Sequence, residues 1–126
     1  MSALQQARSR LAKAKEFLAA AEDSYAEGRF NAAASDAVVS GINAKDVICL
    51  GLTGRTGKAD DHRQAVAELK AAGQDGRAVA NHLSRLLGVK TKSQYSPELI
   101  TAADAAKAVD RATRLLEVAD RVVAGR

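Results

Sequence analysis

The chain predicts an all-α fold, an antiparallel up-down bundle of four or five helices. Apolar residues recur in steps of three and four along most of its 126 residues. Aromatic residues make up 3% and Trp is absent, so the apolar content rests on Ala, Leu and Val, which suit closely packed helices better than a sheet. Pro97 is the only proline, whereas a β-rich domain of this size needs more turn punctuation. The length fits one domain over residues 1–126, able to bury a core without staples.

The first helix carries Leu4, Ala7, Leu11, Ala14, Leu18, Ala21 and Tyr25 on one stripe, and Gly28 ends it. The second runs from about Asn31 to Leu52. Phe30, Ala34, Ala37, Gly41, Ala44, Ile48 and Gly51 share a face of small side chains, which lets a neighbour approach closely. Val38, Val39, Ile42, Val47 and Leu50 flank that face, so this helix is apolar over much of its circumference and belongs at the centre. Asn43 and Asp46 interrupt it three residues apart, as neighbours on one face: a solvated stripe, polar groups bonded within the bundle, or a polar edge beside a site.

A glycine-punctuated loop follows, from Thr53 to Ala59, with Gly54 and Gly57. Asp61 then reads as an N-cap, with Gln64 completing a capping box and His62 at the first helical position. Val66 and Leu69 form the buried side of this third helix, and Gly73 ends it. A fourth helix from about Arg77 to Leu87 buries Val79, Leu83, Leu86 and Leu87, and Gly88 stops it. The stretch Val89–Ser96 reads as a basic loop, and Ser96-Pro97-Glu98 opens the last helix. That helix repeats Ala102, Ala106, Val109, Ala112, Leu116, Ala119 and Val123.

The net charge of +4 is localised. Residues 55–92 hold eight Lys or Arg against four acids, and the remainder of the chain cancels. An excess around the glycine loop suits an anionic partner, RNA or a nucleotide, although an ordinary solvated surface has the same composition. Cys49 is the only cysteine and sits in an apolar run, where it fits a small core residue. One thiol makes no internal disulfide, and the N-terminus has no apolar leader segment. Both features point to the cytoplasm, and no run is long enough for a membrane span.

Chemistry concentrates in residues 54–62, Gly-Arg-Thr-Gly-Lys-Ala-Asp-Asp-His. Cleavage of RNA by its own 2′-hydroxyl needs proton transfers and a cation for the charge that develops on phosphate, with no metal or other cofactor. Arg55 and His62 supply both groups, and a symmetric dimer doubles the set. By spacing alone they are equally a solvated loop cation and a polar residue at a helix start. Lys58 would help hold phosphate, and Asp61 would cap and orient the helix. Lys90, Lys92 and Tyr95 read either as a hold on a phosphate backbone or as a solvated loop. A second pair, Arg77 and His82, lies five apart inside a helix and does not share a face. Gly54-Arg-Thr-Gly-Lys is too short for a P-loop and follows a helix, and no His/Cys cluster has metal-ligand spacing. With Tyr25 and Tyr95 the only tyrosines, no aromatic platform for base stacking is expected.

Residues 31–70, then Leu83–Ser96, then the Ala-rich final helix resemble the HEPN superfamily, most closely its small, stand-alone actinobacterial type. The likeness spans roughly residues 10 to 124. It rests on the small-residue second helix with Ile42-Asn43-Ala44-Lys45-Asp46, on the glycine loop running into His62, and on the Leu86-Leu87…Lys90…Tyr95 run. The resemblance implies an antiparallel helical fold, frequent homodimerisation and, in many members, metal-independent ribonuclease activity in toxin–antitoxin or phage-defence systems. Active members carry Arg, four to six residues, then His, which falls here on Arg55 and His62 at the upper spacing limit. Thr56 is a partial fit to the polar residue that follows the Arg. Gln64 stands where toxins paired with a nucleotidyltransferase antitoxin usually have Tyr. Other members are inactive and serve as nucleotide- or partner-binding modules. As a polar edge beside the loop, Asn43 and Asp46 count with Lys58, Asp61, Lys90, Lys92 and Tyr95 among the candidate substrate- or phosphate-binding residues.

Overall fold

The computed structural model describes residues 1–58 and 61–126. The Ala59 end of the loop and the acidic neighbour Asp60 lie outside the described residues. Among the described residues the chain is all helical, with no strand: α1 (Ala3–Ala26), α2 (Phe30–Thr53), α3 (His62–Ala71), α4 (Gln74–Tyr95) and α5 (Ala102–Ala124). None of these helices is long and apolar enough to cross a membrane.

The second helix touches all four others. Its residues 43–50 are buried without a break, as expected of a helix apolar around its circumference. The small face works as spacing: Gly41 lies under the side chains of Leu86 and Leu115, and Gly51 lies under Val122. Against α1, Ser40 donates its hydroxyl to the Ala14 carbonyl at 2.7 Å, so the polar group buried in this contact is satisfied.

The first helix follows its stripe through Ala7, Leu11, Ala14, Leu18 and Ala21. Its last member does not hold: Tyr25 is 37% exposed and leans on the Phe30 ring across the turn, with centroids 5.6 Å apart. In α5 the buried face is Ala105, Ala108, Ala112, Leu115, Val118, Ala119 and Val122, rotated from the expected one. With Ala and Val spread around most of that helix, the apolar pattern alone fixes the face poorly.

The largest correction concerns α4. Gly88 does not stop it, and the helix runs through to Tyr95. A single interior glycine costs a helix only about 1 kcal/mol relative to Ala, which Val89 packed on the core and the continuing backbone bonds offset. Lys90, Lys92 and Tyr95 are therefore helical rather than loop residues. Ser96-Pro97-Glu98 lies before α5, which is capped instead by Thr101, whose hydroxyl accepts from the Asp104 N–H at 3.1 Å. The α3 start agrees with the sequence in its N-cap but not in its capping box. The Asp61 carboxylate accepts from the second helical amide, Arg63 N–H, at 2.9 Å, one residue short of the Gln64 amide that a capping box uses.

Gly76, placed in the turn by the sequence, sits in the first turn of α4 against the Leu69 backbone carbonyl of α3. A Cβ there would collide with that carbonyl, which cannot swing away as a side chain could. Gly76→Ala is expected to destabilise the fold by about 2 kcal/mol, the steric term exceeding Ala's helix preference. A urea midpoint equal to the parent's would refute the contact.

Candidate functional site

The site is organised where α2 ends. Gly54 adopts the left-handed conformation (φ 79°) and its N–H bonds the Leu50 carbonyl, which turns the chain back on itself. The returning segment is then tied to α2 and α3 by a buried ion network. Lys45 is 1% exposed, and its ammonium meets Thr56 Oγ1 at 2.8 Å, Glu68 Oε2 at 3.0 Å and Asp46 Oδ1 at 3.4 Å. The Thr56 hydroxyl in turn donates to Asp46 Oδ1 at 2.7 Å. The Gly57 N–H donates to Glu68 Oε2 at 2.8 Å. A Cβ on residue 57 would fall inside that carboxylate, so the bare backbone permits the approach.

Burial pushes the Glu68 carboxyl up, but the Lys45 ammonium and the Gly57 N–H together outweigh it and hold the group below its ordinary 4.5. A carboxylate with a lowered folded pKa contributes stability above its unfolded pKa and loses it as pH falls through the folded one. Glu68→Gln is therefore expected to be less stable than the parent at pH 7. The gap should narrow as pH falls below that ordinary value and through the lower folded pKa. Urea midpoints at pH 7 and at acid pH check this, and a pH-independent gap would contradict it.

Above this network opens a cleft of about 270 Å³ in which α1, α2, α3, α4 and the loop converge. Its floor is apolar, from Ile42, Ala65, Leu83 and Leu87. Its polar wall brings together His62 at the start of α3, Lys58 from the loop, Lys90 from α4, Asp46 from α2 and Arg10 from α1. The Arg10 guanidinium is held by Asn43 Oδ1 at 3.3 Å and lies 3.9 Å from Asp46 Oδ2. Asn43 in turn donates to the Val39 carbonyl at 2.9 Å. Both Asn43 and Asp46 are buried, so they are a bonded polar edge beside the loop rather than a solvated stripe.

The sequence's candidates thus separate. His62, Lys58, Lys90 and Asp46 share the cleft, with Asn43 behind Arg10. Arg55 is exposed and lines a second hollow of about 400 Å³, floored by Cys49, Ala71 and Ala72. Thr56 and Gly57 wall both spaces, so within the chain Arg55 and His62 face different hollows. Asp61 is an exposed cap. Lys92 turns from the cleft toward Glu98 (3.8 Å) and Asp104 (3.6 Å), and Tyr95 is 78% exposed. His82 does not join Arg77. It lies beside the Arg111 guanidinium at 3.5 Å, and burial and then that cation lower its pKa. Burial pushes the Cys49 thiol up, which suits its place in the core.

Two residues of this site escaped the sequence reading. Arg10 gives no signal, because its partners lie more than thirty positions along the chain. Lys45 gives one: a Lys-Asp pair within the apolar run Ala44–Leu50 of a helix buried all round has no solvent to face and must be paired internally.

The family model of the HEPN domain covers residues 7–122. No curated protein matches the chain.

Proposed function

Because this chain belongs to the HEPN domain family, we propose that it is a metal-independent endoribonuclease acting as a homodimer, with Arg55 and His62 of both subunits lining a shared cleft. Family membership supports a module of the nuclease-toxin or nucleotide-binding type. The observation that carries the catalytic reading is the convergence of a His62 imidazole with Lys58, Lys90 and Arg10 around one cleft.

In the reaction a neutral imidazole takes the proton of a 2′-hydroxyl, and that oxygen attacks the adjacent phosphorus. The bond to the 5′-oxygen breaks, and the imidazolium just formed returns the proton to it. The products are a 2′,3′-cyclic phosphate and a free 5′-hydroxyl. The cations stabilise the charge that builds on the non-bridging oxygens, with Arg55 brought to this cleft by the second subunit. The setting implied by the resemblance is a toxin–antitoxin or phage-defence system in the cytoplasm.

A specific observation favours a second reading. In one subunit Arg55 opens away from His62, and the His62 cleft, apolar below and basic above, suits a single nucleotide. On that reading the chain is a non-catalytic module that binds a nucleotide or a partner such as a nucleotidyltransferase. Incubation of the purified chain with total RNA, with and without EDTA, decides between them. Cleavage that survives EDTA and disappears in Arg55→Ala/His62→Ala supports the ribonuclease. Absence of cleavage by folded, dimeric protein supports the binding module.

A further inference from the structure

On the far side of α4 from the cleft lies a groove of about 280 Å³ between α4 and α5. Arg85, Lys92, Lys107 and Arg111 line it, against one acid, Asp104. Lys92 is engaged with Asp104 and Glu98. Arg85, Lys107 and Arg111 have no ion pair among the described residues, and Arg111 is steadied only by His82.

Three sides of α4 are thus distinct. Leu83, Leu87 and Lys90, spaced by four and three, face the cleft. Arg85, Gly88 and Lys92, spaced by three and four, face the groove, about half a turn away at 100° per residue. Between them the outer side is exposed, and around Gly88 it is small and uncharged at Ser84, Gly88 and Thr91, with Arg77 and Tyr95 on the same side toward the helix ends. Gly88 has no reason within the chain. Its φ is not positive, nothing lies within 4 Å of a Cβ there, and it costs helix stability.

We infer that the groove is a second RNA-binding site, which takes the phosphodiester backbone of a strand that leaves the His62 cleft and crosses α4 at Gly88. The inference rests on the reading of the chain as acting on RNA. The cleft is small-molecule sized, so a polynucleotide must continue outside it, and its next phosphates need cations. A low, uncharged ridge lets a backbone pass close to the helix, and three uncompensated cations await it beyond. A second copy of the chain is a poor occupant, because a two-fold contact through this face sets like charge against like charge.

The test uses uncleavable 2′-O-methyl oligoribonucleotides of two and ten residues, with binding to the full chain read by fluorescence anisotropy between 50 and 200 mM salt. Arg85→Gln/Lys107→Gln/Arg111→Gln is expected to bind the ten-residue strand at least ~10-fold more weakly and to flatten the log–log salt slope by about 2, from three lost contacts to a single strand. Its affinity for the dinucleotide should be unchanged. Gly88→Leu, which adds its side chain into open space without disturbing the core, should weaken the long strand alone. A control removing Arg8, Lys13 and Lys70, exposed elsewhere, should have little effect. Equal loss in the control, equal loss for the dinucleotide, or no binding of RNA by the parent would overturn the groove. So would loss of binding to an acidic peptide with RNA binding intact, which would reassign the groove to a protein partner. Because the probes cannot be cleaved, failure here leaves the EDTA assay untouched. Likewise, an inactive parent whose groove variants still lose RNA would leave the groove standing.

Discussion

Replacing Lys45 by methionine is expected to destabilise the protein by about 3 kcal/mol, and to lower its melting temperature by about 10 °C. Methionine fills a similar volume, so the packing loss is small. What is lost is the ammonium that Glu68 and Asp46 share inside the bundle. Removing one member of a buried ion set leaves the others with desolvation costs that no partner offsets, typically about 3–5 kcal/mol. The lower end applies because Asp46 keeps Thr56 and Arg10, Glu68 keeps the Gly57 N–H, and the Glu68 side chain is 25% exposed. Adding Glu68→Met should recover part of the loss, giving a coupling of about 1–2 kcal/mol in a double-mutant cycle. The single variant should also free the loop, since Lys45 holds Thr56. Trypsin would then cut after Arg55 and Lys58 faster than in the parent. An unchanged urea midpoint together with an unchanged cleavage rate would show that the network is incidental.

The same network explains where the sequence was legible and where it was not. Helices appear in sequence because burial imposes a period, and α1 through α3 were read to within about two residues for that reason. The α5 face slipped because a helix rich in Ala and Val offers more apolar surface than one face uses. The end of α4 was missed because glycine was read as a stop, whereas it ends a helix only where the chain needs the left-handed conformation, as at Gly54. Site residues have no period. His62 and Lys58 stand out as residue types beside a glycine loop, and the fold brings Lys90 and Asp46 to the same cleft. Arg10 arrives from the other end of the chain, and only the α1–α2 packing brings it to Asn43. Which side of Thr56 each side chain faces is set by bonds to Lys45 and Glu68, and spacing carries no trace of that. Arg55 and His62 therefore look like a pair in sequence and part company in the folded chain.

That separation makes His62 the sharper mutational probe. His62→Ala is expected to reduce RNA cleavage by about 10²–10⁴-fold, the range supplied by one positioned acid–base group. The helical circular-dichroism signal should be retained, because His62 is only half-buried and the α3 cap is made by Asp61 rather than by the imidazole. Arg55→Ala should lose about 10²–10³-fold, as for a group that stabilises developing charge. The informative experiment mixes the two inactive variants and lets subunits exchange. If each working cleft takes His62 from one subunit and Arg55 from the other, a mixed dimer holds one intact set, and a statistical mixture recovers about a quarter of the parent activity. If both groups must come from one subunit, every cleft in the mixture is defective and no activity returns. Parental cleavage by His62→Ala alone would remove the imidazole from the reaction. The site would then be a nucleotide cleft whose cations bind but do not cut.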